Sequence, residues 1–169
     1  IPLRLVGSEM CIRDRPAALG HAISHSKCKH IFVDDPQLET LNNALLETDT
    51  NPKIINVSNS LIEETDPSIK LHDISPSDHA LLMYTSGTTG VPKGVIHTHS
   101  SLLAGGWTTA VAHNLQSFDR ALCVLPLYHI NGLCVTVIAP LISGGSSVIC
   151  PKFSNSNFWT DCELSLIHI

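Results

Sequence analysis

Residues Tyr84 to Gly94 read YTSGTTGVPKG, and such a stretch could hold phosphate. Gly87, Gly90 and Gly94 relieve steric limits, so successive backbone N–H groups can converge on one anion. The hydroxyls of Thr85, Ser86, Thr88 and Thr89 can each donate to a phosphate oxygen. Lys93 adds positive charge, and Pro92 stiffens the approach to it. A flexible turn of no chemical consequence is the other reading. The apolar run DHALLMYT that feeds the loop favours the phosphate cradle, as do the clustered hydroxyls. Two familiar nucleotide patterns do not fit. Lys93 follows proline and precedes Gly94, which breaks the G-x-x-x-x-G-K-[ST] spacing, and no G-x-G-x-x-G occurs.

A second chemically equipped stretch is LPLYHINGL, Leu125 to Leu133. By residue type alone, His129 reads as a hydrogen-bonded structural histidine and Tyr128 as an aromatic that could belong to the core. His97 and His99 share a face only if they lie on a strand, and no third ligand stands near them in sequence. They read as structural, and no metal site is assigned. The cysteines past residue 15 are Cys28, Cys123, Cys134, Cys150 and Cys162, without a C-x-x-C pair. Three sit in apolar runs (ALCVL, GLCVTVI, SVIC), where a thiol behaves as a small hydrophobe. A disulfide framework or zinc site is poorly supported.

The elements that must position these residues alternate. AALGHAISHS has helical spacing, and KHIFVDD follows as a short strand. PQLETLNNALLE starts a second helix near Pro36, and PKIINVS is strand-like. Ser58 to Pro76 is polar and proline-punctuated, which suggests an irregular connection. DHALLMYT reads as a strand covered on both faces and KGVIHTH as a returning strand. SSLLAGGWTTAVAHNL is helical, capped by Thr98 or Ser100. RALCVLPL reads as a buried strand, INGLCVTVIAPLIS as an apolar helix, SSVICPK as another strand, and NSNFWTDCE as the opening of a last helix. The alternation predicts an α/β fold with a largely parallel sheet.

With 169 residues, the chain fits one ordinary domain, and its 43% hydrophobic content can bury a core. Ten basic residues stand against fifteen acidic ones, a net charge of −5. With no basic cluster, a nucleic-acid partner is not expected. No apolar run reaches the roughly 18 residues that span a bilayer, so no transmembrane segment is expected.

The two ends are related to each other at the level of DNA. Met10 to Arg15 can be encoded ATG TGT ATA AGA GAC AG plus a purine, and the reverse complement yields Leu-Ser-Leu-Ile-His-Ile, the residues Leu164 to Ile169. That DNA resembles a transposon-end adapter of sequencing libraries. Residues 1–15 and 164–169 are therefore expected to be adapter translation flanking residues 16–163, and sequencing across both junctions tests this.

YTSGTTGVPKGV resembles the signature loop of the adenylate-forming superfamily, which includes acyl-CoA synthetases, aryl-CoA ligases, luciferases and nonribosomal adenylation domains. LPLYHINGL is similar to the segment of that family in which an aromatic–histidine pair borders the carboxylate pocket. HAISHSKCKHIFVDD and APLISGGSSVICPKFSNSNFW are similar to further family segments, in family order. The resemblance implies that residues 16–163 are part of the large N-terminal domain of an AMP-forming acyl-CoA synthetase. Such an enzyme joins a small carboxylic or fatty acid to AMP from Mg²⁺-ATP and then passes the acyl group to coenzyme A. Thr85, Ser86, Gly87, Thr88, Thr89, Gly90 and Lys93 would embrace the β- and γ-phosphates, with Thr88 and Lys93 assisting their positioning. Tyr128, His129 and Gly132 would line the acyl pocket.

The family's later adenine- and ribose-binding motifs, its hinge and its C-terminal lysine have no counterpart here, so no complete catalytic set is expected. The chain alone is expected to be inactive and poorly soluble. A nonribosomal-type adenylation domain, a luciferase-like enzyme or a non-catalytic nucleotide-binding module are the alternatives. A cytoplasmic or organelle-matrix location is expected, with targeting signals unreadable.

Overall fold

A computed structural model of the chain describes residues 15–57, 73–85 and 91–167. Within the length of one domain it forms two compact units. The first comprises residues up to 74 together with 84–95, the second 75–83 together with 96–169.

In the first unit, α1 (Pro16–Ser26) begins with proline at its first position, where a missing N–H costs nothing. It ends at Lys27, which turns into the left-handed region. β1 (His30–Val33) follows, then a 3-10 turn at Asp35–Gln37 that holds Pro36, and α2 (Leu38–Leu45). β2 (Lys53–Asn56) pairs in parallel with β1, with His30 opposite Lys53 and Val33 opposite Asn56. The core is formed by Ile23, Val33, Leu41 and Ala44, with Leu19, Cys28, Ile31, Leu38 and Leu45 packed around it. α1 and α2 approach so closely that a Cβ on Gly20 would lie 2.8 Å from the Ala44 carbonyl oxygen.

β3 (His79–Thr85) and β4 (Lys93–Thr98) pair with each other and contribute residues to both units. The expectation of a strand covered on both faces does not hold for β3. His79, Ala80 and Thr85 are exposed and the rest only half-buried, because among the described residues β4 is its one strand neighbour and a two-stranded sheet covers little.

In the second unit, α3 (His99–Ala112) starts at Thr98, whose hydroxyl accepts from the Ser101 N–H at 3.2 Å. β5 (Arg120–Cys123) and β6 (Ser146–Ile149) form a second parallel pair, Arg120 opposite Ser146. Between them lie an eight-residue π-helix (Asn131–Ile138) and α4 (Ala139–Ile142). After α4 the chain turns at Gly144, φ 77°, while Gly145 N–H donates to the Pro140 carbonyl at 2.9 Å. α5 (Phe158–Leu164) closes the series. The parallel pairing is as expected, and among the described residues it takes the form of two-stranded sheets.

The π-helix departs from the α-helix that apolar spacing suggested, and Pro140 supplies the reason. Proline cannot donate to the carbonyl four residues back, and its ring crowds that carbonyl. The carbonyl in question belongs to Thr136, and it is taken instead by the hydroxyl of Ser147 on β6. The backbone widens to pass the obstruction, and the Ala139 N–H reaches back five residues to the Cys134 carbonyl.

Gly105 and Gly106 let α3 cross this helix at close range. A Cβ on Gly106 would sit 2.6 Å from Ile138 Cγ2 and 2.7 Å from Ile142 Cδ1. Gly106→Val should therefore destabilise the protein by about 1–3 kcal/mol, the usual cost of overpacking. A urea midpoint unchanged from wild type would contradict this packing. On another face of α3, Leu103, Trp107 and Val111 repeat every four residues and are 55%, 62% and 62% exposed. A stripe of that kind is unusual on the surface of a monomeric protein. Among the described residues, no helix is long and apolar enough to cross a membrane.

Candidate functional site

The loop at Tyr84 to Gly94 leaves the end of one strand and enters the start of the next. Thr85 is the last residue of β3 and Lys93 the first of β4. Both side chains are exposed, whereas Pro92 is buried. Two paired strands thus hold a hydroxyl and an ammonium group at the two roots of the loop. Ser86, Gly87, Thr88, Thr89 and Gly90 lie outside the described residues.

A residue that composition did not single out secures the first root. The Tyr84 hydroxyl donates to the Ala22 carbonyl on α1 at 3.2 Å and lies 2.7 Å from His25 Nδ1. Burial raises the Tyr84 phenol above its ordinary value, the Cys28 thiol adds to this, and a Ser26 hydrogen bond opposes it. The phenol therefore stays protonated, and a donor, at neutral pH. The sequence signal for this contact was slight: two histidines four apart in HAISH, with no indication of what they would meet.

Gly132 is the second residue of the π-helix, and Tyr128 and His129 lie just before that helix on the turn from β5. Its hydrogen bonds run from the His129 N–H to the Pro126 carbonyl at 3.0 Å and from the Leu133 N–H to the His129 carbonyl at 3.1 Å. The Asn131 N–H donates to His129 Nδ1 at 3.2 Å, so the neutral imidazole carries its proton on Nε2. His129 is half-buried and Tyr128 exposed.

Gly132 is where the turn folds onto itself. A Cβ there would overlap the Pro126 carbonyl oxygen and come within 3.0 Å of that of Leu125. Its own carbonyl accepts from the Thr136 hydroxyl at 2.6 Å and from the buried Cys123 thiol at 3.6 Å. The same thiol lies 3.4 Å from the Leu125 carbonyl, which ties the two ends of the turn to β5.

The five cysteines past residue 15 are free thiols. Burial raises Cys134, and burial followed by the neighbouring Asp161, Cys123 and Cys162 raises Cys150, so both act as protonated packing groups. His97 and His99 belong to β4 and α3. Among the described residues, no three His, Cys, Asp or Glu side chains converge to hold a metal ion. Thr85 and Lys93 fall in the first unit, and Tyr128, His129 and Gly132 in the second.

An α/β arrangement with parallel strand pairs is the fold of the N-terminal domain of AMP-forming ligases. Residues 11–167 match the family described as AMP-binding enzyme, and the chain belongs to that family. It is 41% identical over 153 residues to the sulfoacetate–CoA ligase of Cupriavidus necator, covering 87% of this chain and 30% of that protein. It is 31% identical over 150 residues to the malonate–CoA ligase of Arabidopsis thaliana, covering 85% of this chain and 25% of the relative.

Among solved structures, the O-succinylbenzoate coenzyme A synthetase from Bacillus subtilis, in complex with ATP and magnesium ion, superposes with a TM-score of 0.77 at 25% identity. That match covers 92% of this chain and 31% of the other. The N-terminal domain of FACL13 from Mycobacterium tuberculosis gives a TM-score of 0.75 at 25% identity, covering 90% and 39%. The chain therefore spans less than a third of the two curated relatives' length.

Proposed function

We propose that the protein carrying this chain is an AMP-forming acyl-CoA synthetase. A carboxylate oxygen of the acid attacks the α-phosphorus of ATP, the bond to the bridging oxygen breaks, and pyrophosphate leaves. The coenzyme A thiolate then attacks the acyl carbon of the adenylate, and AMP departs. The observation that carries this reading is the family match across residues 11–167, which takes in both the phosphate loop and the LPLYHINGL turn.

In the first step, this chain's task is to position and neutralise a polyphosphate. Thr85 and Lys93, at the two roots of the loop, would donate to the β- and γ-phosphates. Their positive charge and hydroxyl donor oppose the charge that develops on the leaving pyrophosphate. The exposed donor set fits ATP, and Mg²⁺ would enter bound to it as part of the substrate. Ser86, Gly87, Thr88, Thr89 and Gly90 complete the loop in this reading. Tyr128 and His129 would border the acyl group, with Gly132 allowing the turn to close. The relatives' acids include sulfoacetate and malonate, which supports a small carboxylic acid, while fatty acids remain within the class.

The test is thioester formation by the full-length protein with ATP, Mg²⁺, coenzyme A and a panel of short and fatty acids. Acyl-CoA should appear with at least one acid, together with AMP and pyrophosphate. An acyl-adenylate that is never passed to coenzyme A would instead indicate a nonribosomal-type or luciferase-like enzyme. ATP binding without either product would indicate a nucleotide-binding module. Residues 1–169 alone should form no adenylate.

A further inference from the structure

His25 lies on α1, 59 residues before the strand end that it meets, and nothing in the reaction described above uses it. Its Nδ1 stands 2.7 Å from the Tyr84 hydroxyl, and the two rings meet edge to face with centroids 5.8 Å apart. The Tyr84 hydroxyl has one proton, and the Ala22 carbonyl, which can only accept, takes it at 3.2 Å. The imidazole must then be the donor, Nδ1–H to Tyr84 Oη. His21, one turn earlier on α1, stacks on His25 at 5.6 Å between centroids, 20° from parallel. The His25 ring is thus held on two sides, and Tyr84 is held by its hydrogen bonds to Ala22 and His25 and by the ring edge. Tyr84 directly precedes Thr85, the residue at which β3 hands over to the loop.

We propose that His25 is a positioning residue for nucleotide binding: by fixing the Tyr84 ring on α1, it sets where the Thr85 hydroxyl and the end of β3 meet the polyphosphate of ATP. The inference rests on the ATP-dependent reading above. Its cause is entropic as much as geometric. A strand end already held in place loses less conformational freedom when a ligand orders it, so the anchor should appear as affinity for ATP. It should not appear in affinity for the acid, whose residues Tyr128 and His129 lie in the other compact unit.

The experiment uses the full-length protein and two readouts, the Kd for ATP without acid and the KM for each substrate in pyrophosphate release. His25→Ala should weaken ATP binding about five-fold, with the KM for the acid unchanged, as expected for loss of one hydrogen-bonded anchor. Tyr84→Phe, which keeps the ring and loses the hydroxyl, should do the same. The loss in the double variant should be smaller than the sum of the two single losses, because both single variants remove the same His25–Tyr84 hydrogen bond. His25→Asn, whose side-chain N–H can take the place of Nδ1–H, should recover much of the loss. Unchanged ATP affinity in both single variants would overturn the proposal, as would additive losses in the double variant. Failure of the enzymatic reading would look different. Wild type would then bind ATP yet release no pyrophosphate with any acid, and the Kd comparison would still decide the role of His25.

Discussion

Replacing Lys93 with alanine should lower kcat/KM for acid-dependent pyrophosphate release by about a hundred-fold or more, the usual scale for removing a donor aimed at developing charge. The expectation follows from where the lysine sits. It is exposed at the first position of β4, so its backbone is fixed by strand pairing while its ammonium group is available to a ligand. A lysine serving solubility alone would show no such effect, since exposed charges contribute little to stability. Lys93→Arg keeps the charge but changes its shape and hydration, and should recover only part of the rate. Unfolding midpoints of both variants should match wild type. A Lys93→Ala protein that kept full activity would remove the loop from the reaction.

Gly132→Val should have an effect of similar size and opposite selectivity. Any Cβ at this position overlaps the Pro126 carbonyl oxygen, and the next nearest atom, the Leu125 carbonyl oxygen, is also backbone. No flexible side chain can move aside, so the turn that carries Tyr128 and His129 must open. Displacement of a substrate-positioning group by an ångström can cost about a hundred-fold in rate. Adenylation should fall by that order while the Kd for ATP stays within two-fold of wild type, because Thr85 and Lys93 belong to the other unit. Overpacking also costs about 1–3 kcal/mol of stability, so ATP affinity must be measured below the variant's melting temperature. Equal losses in ATP binding and adenylation would indicate general unfolding instead.

Much of this was legible in the sequence because it is local. The small and apolar residues of AALGHAISHS mark α1, Thr98 marks the start of α3, and the β-branched runs mark β1, β2 and β6. The loop stood out in the sequence because hydroxyls, glycines and a lysine crowd into eleven positions, of which Tyr84, Thr85 and Val91 to Gly94 are among the described residues. What escaped the sequence depends on partners distant along the chain. The burial of β3 was overestimated because an apolar run does not reveal how many strands will flank it. The π-helix was missed although Pro140 lay within the helical pattern. Proline announces an interruption, but only the Ser147 hydroxyl, taking the Thr136 carbonyl, shows how that interruption is accommodated. The tie between His25 and Tyr84 left only the slight signal of two histidines four apart, which says nothing of a partner 59 residues away. Gly105 and Gly106 lie in a stretch read only as helical, yet their missing side chains are what let α3 approach Cys134 and Ile138.

The central claim is that the loop at Tyr84 to Gly94 serves the adenylation of a carboxylic acid. Exchange of labelled pyrophosphate into ATP by the full-length protein tests it most directly, because exchange requires the first step to run in both directions and does not require coenzyme A. The account predicts exchange that depends on one or more carboxylic acids and falls by about a hundred-fold in Lys93→Ala. Tight ATP binding by wild type with no acid-dependent exchange across short, aromatic and fatty acids would contradict it.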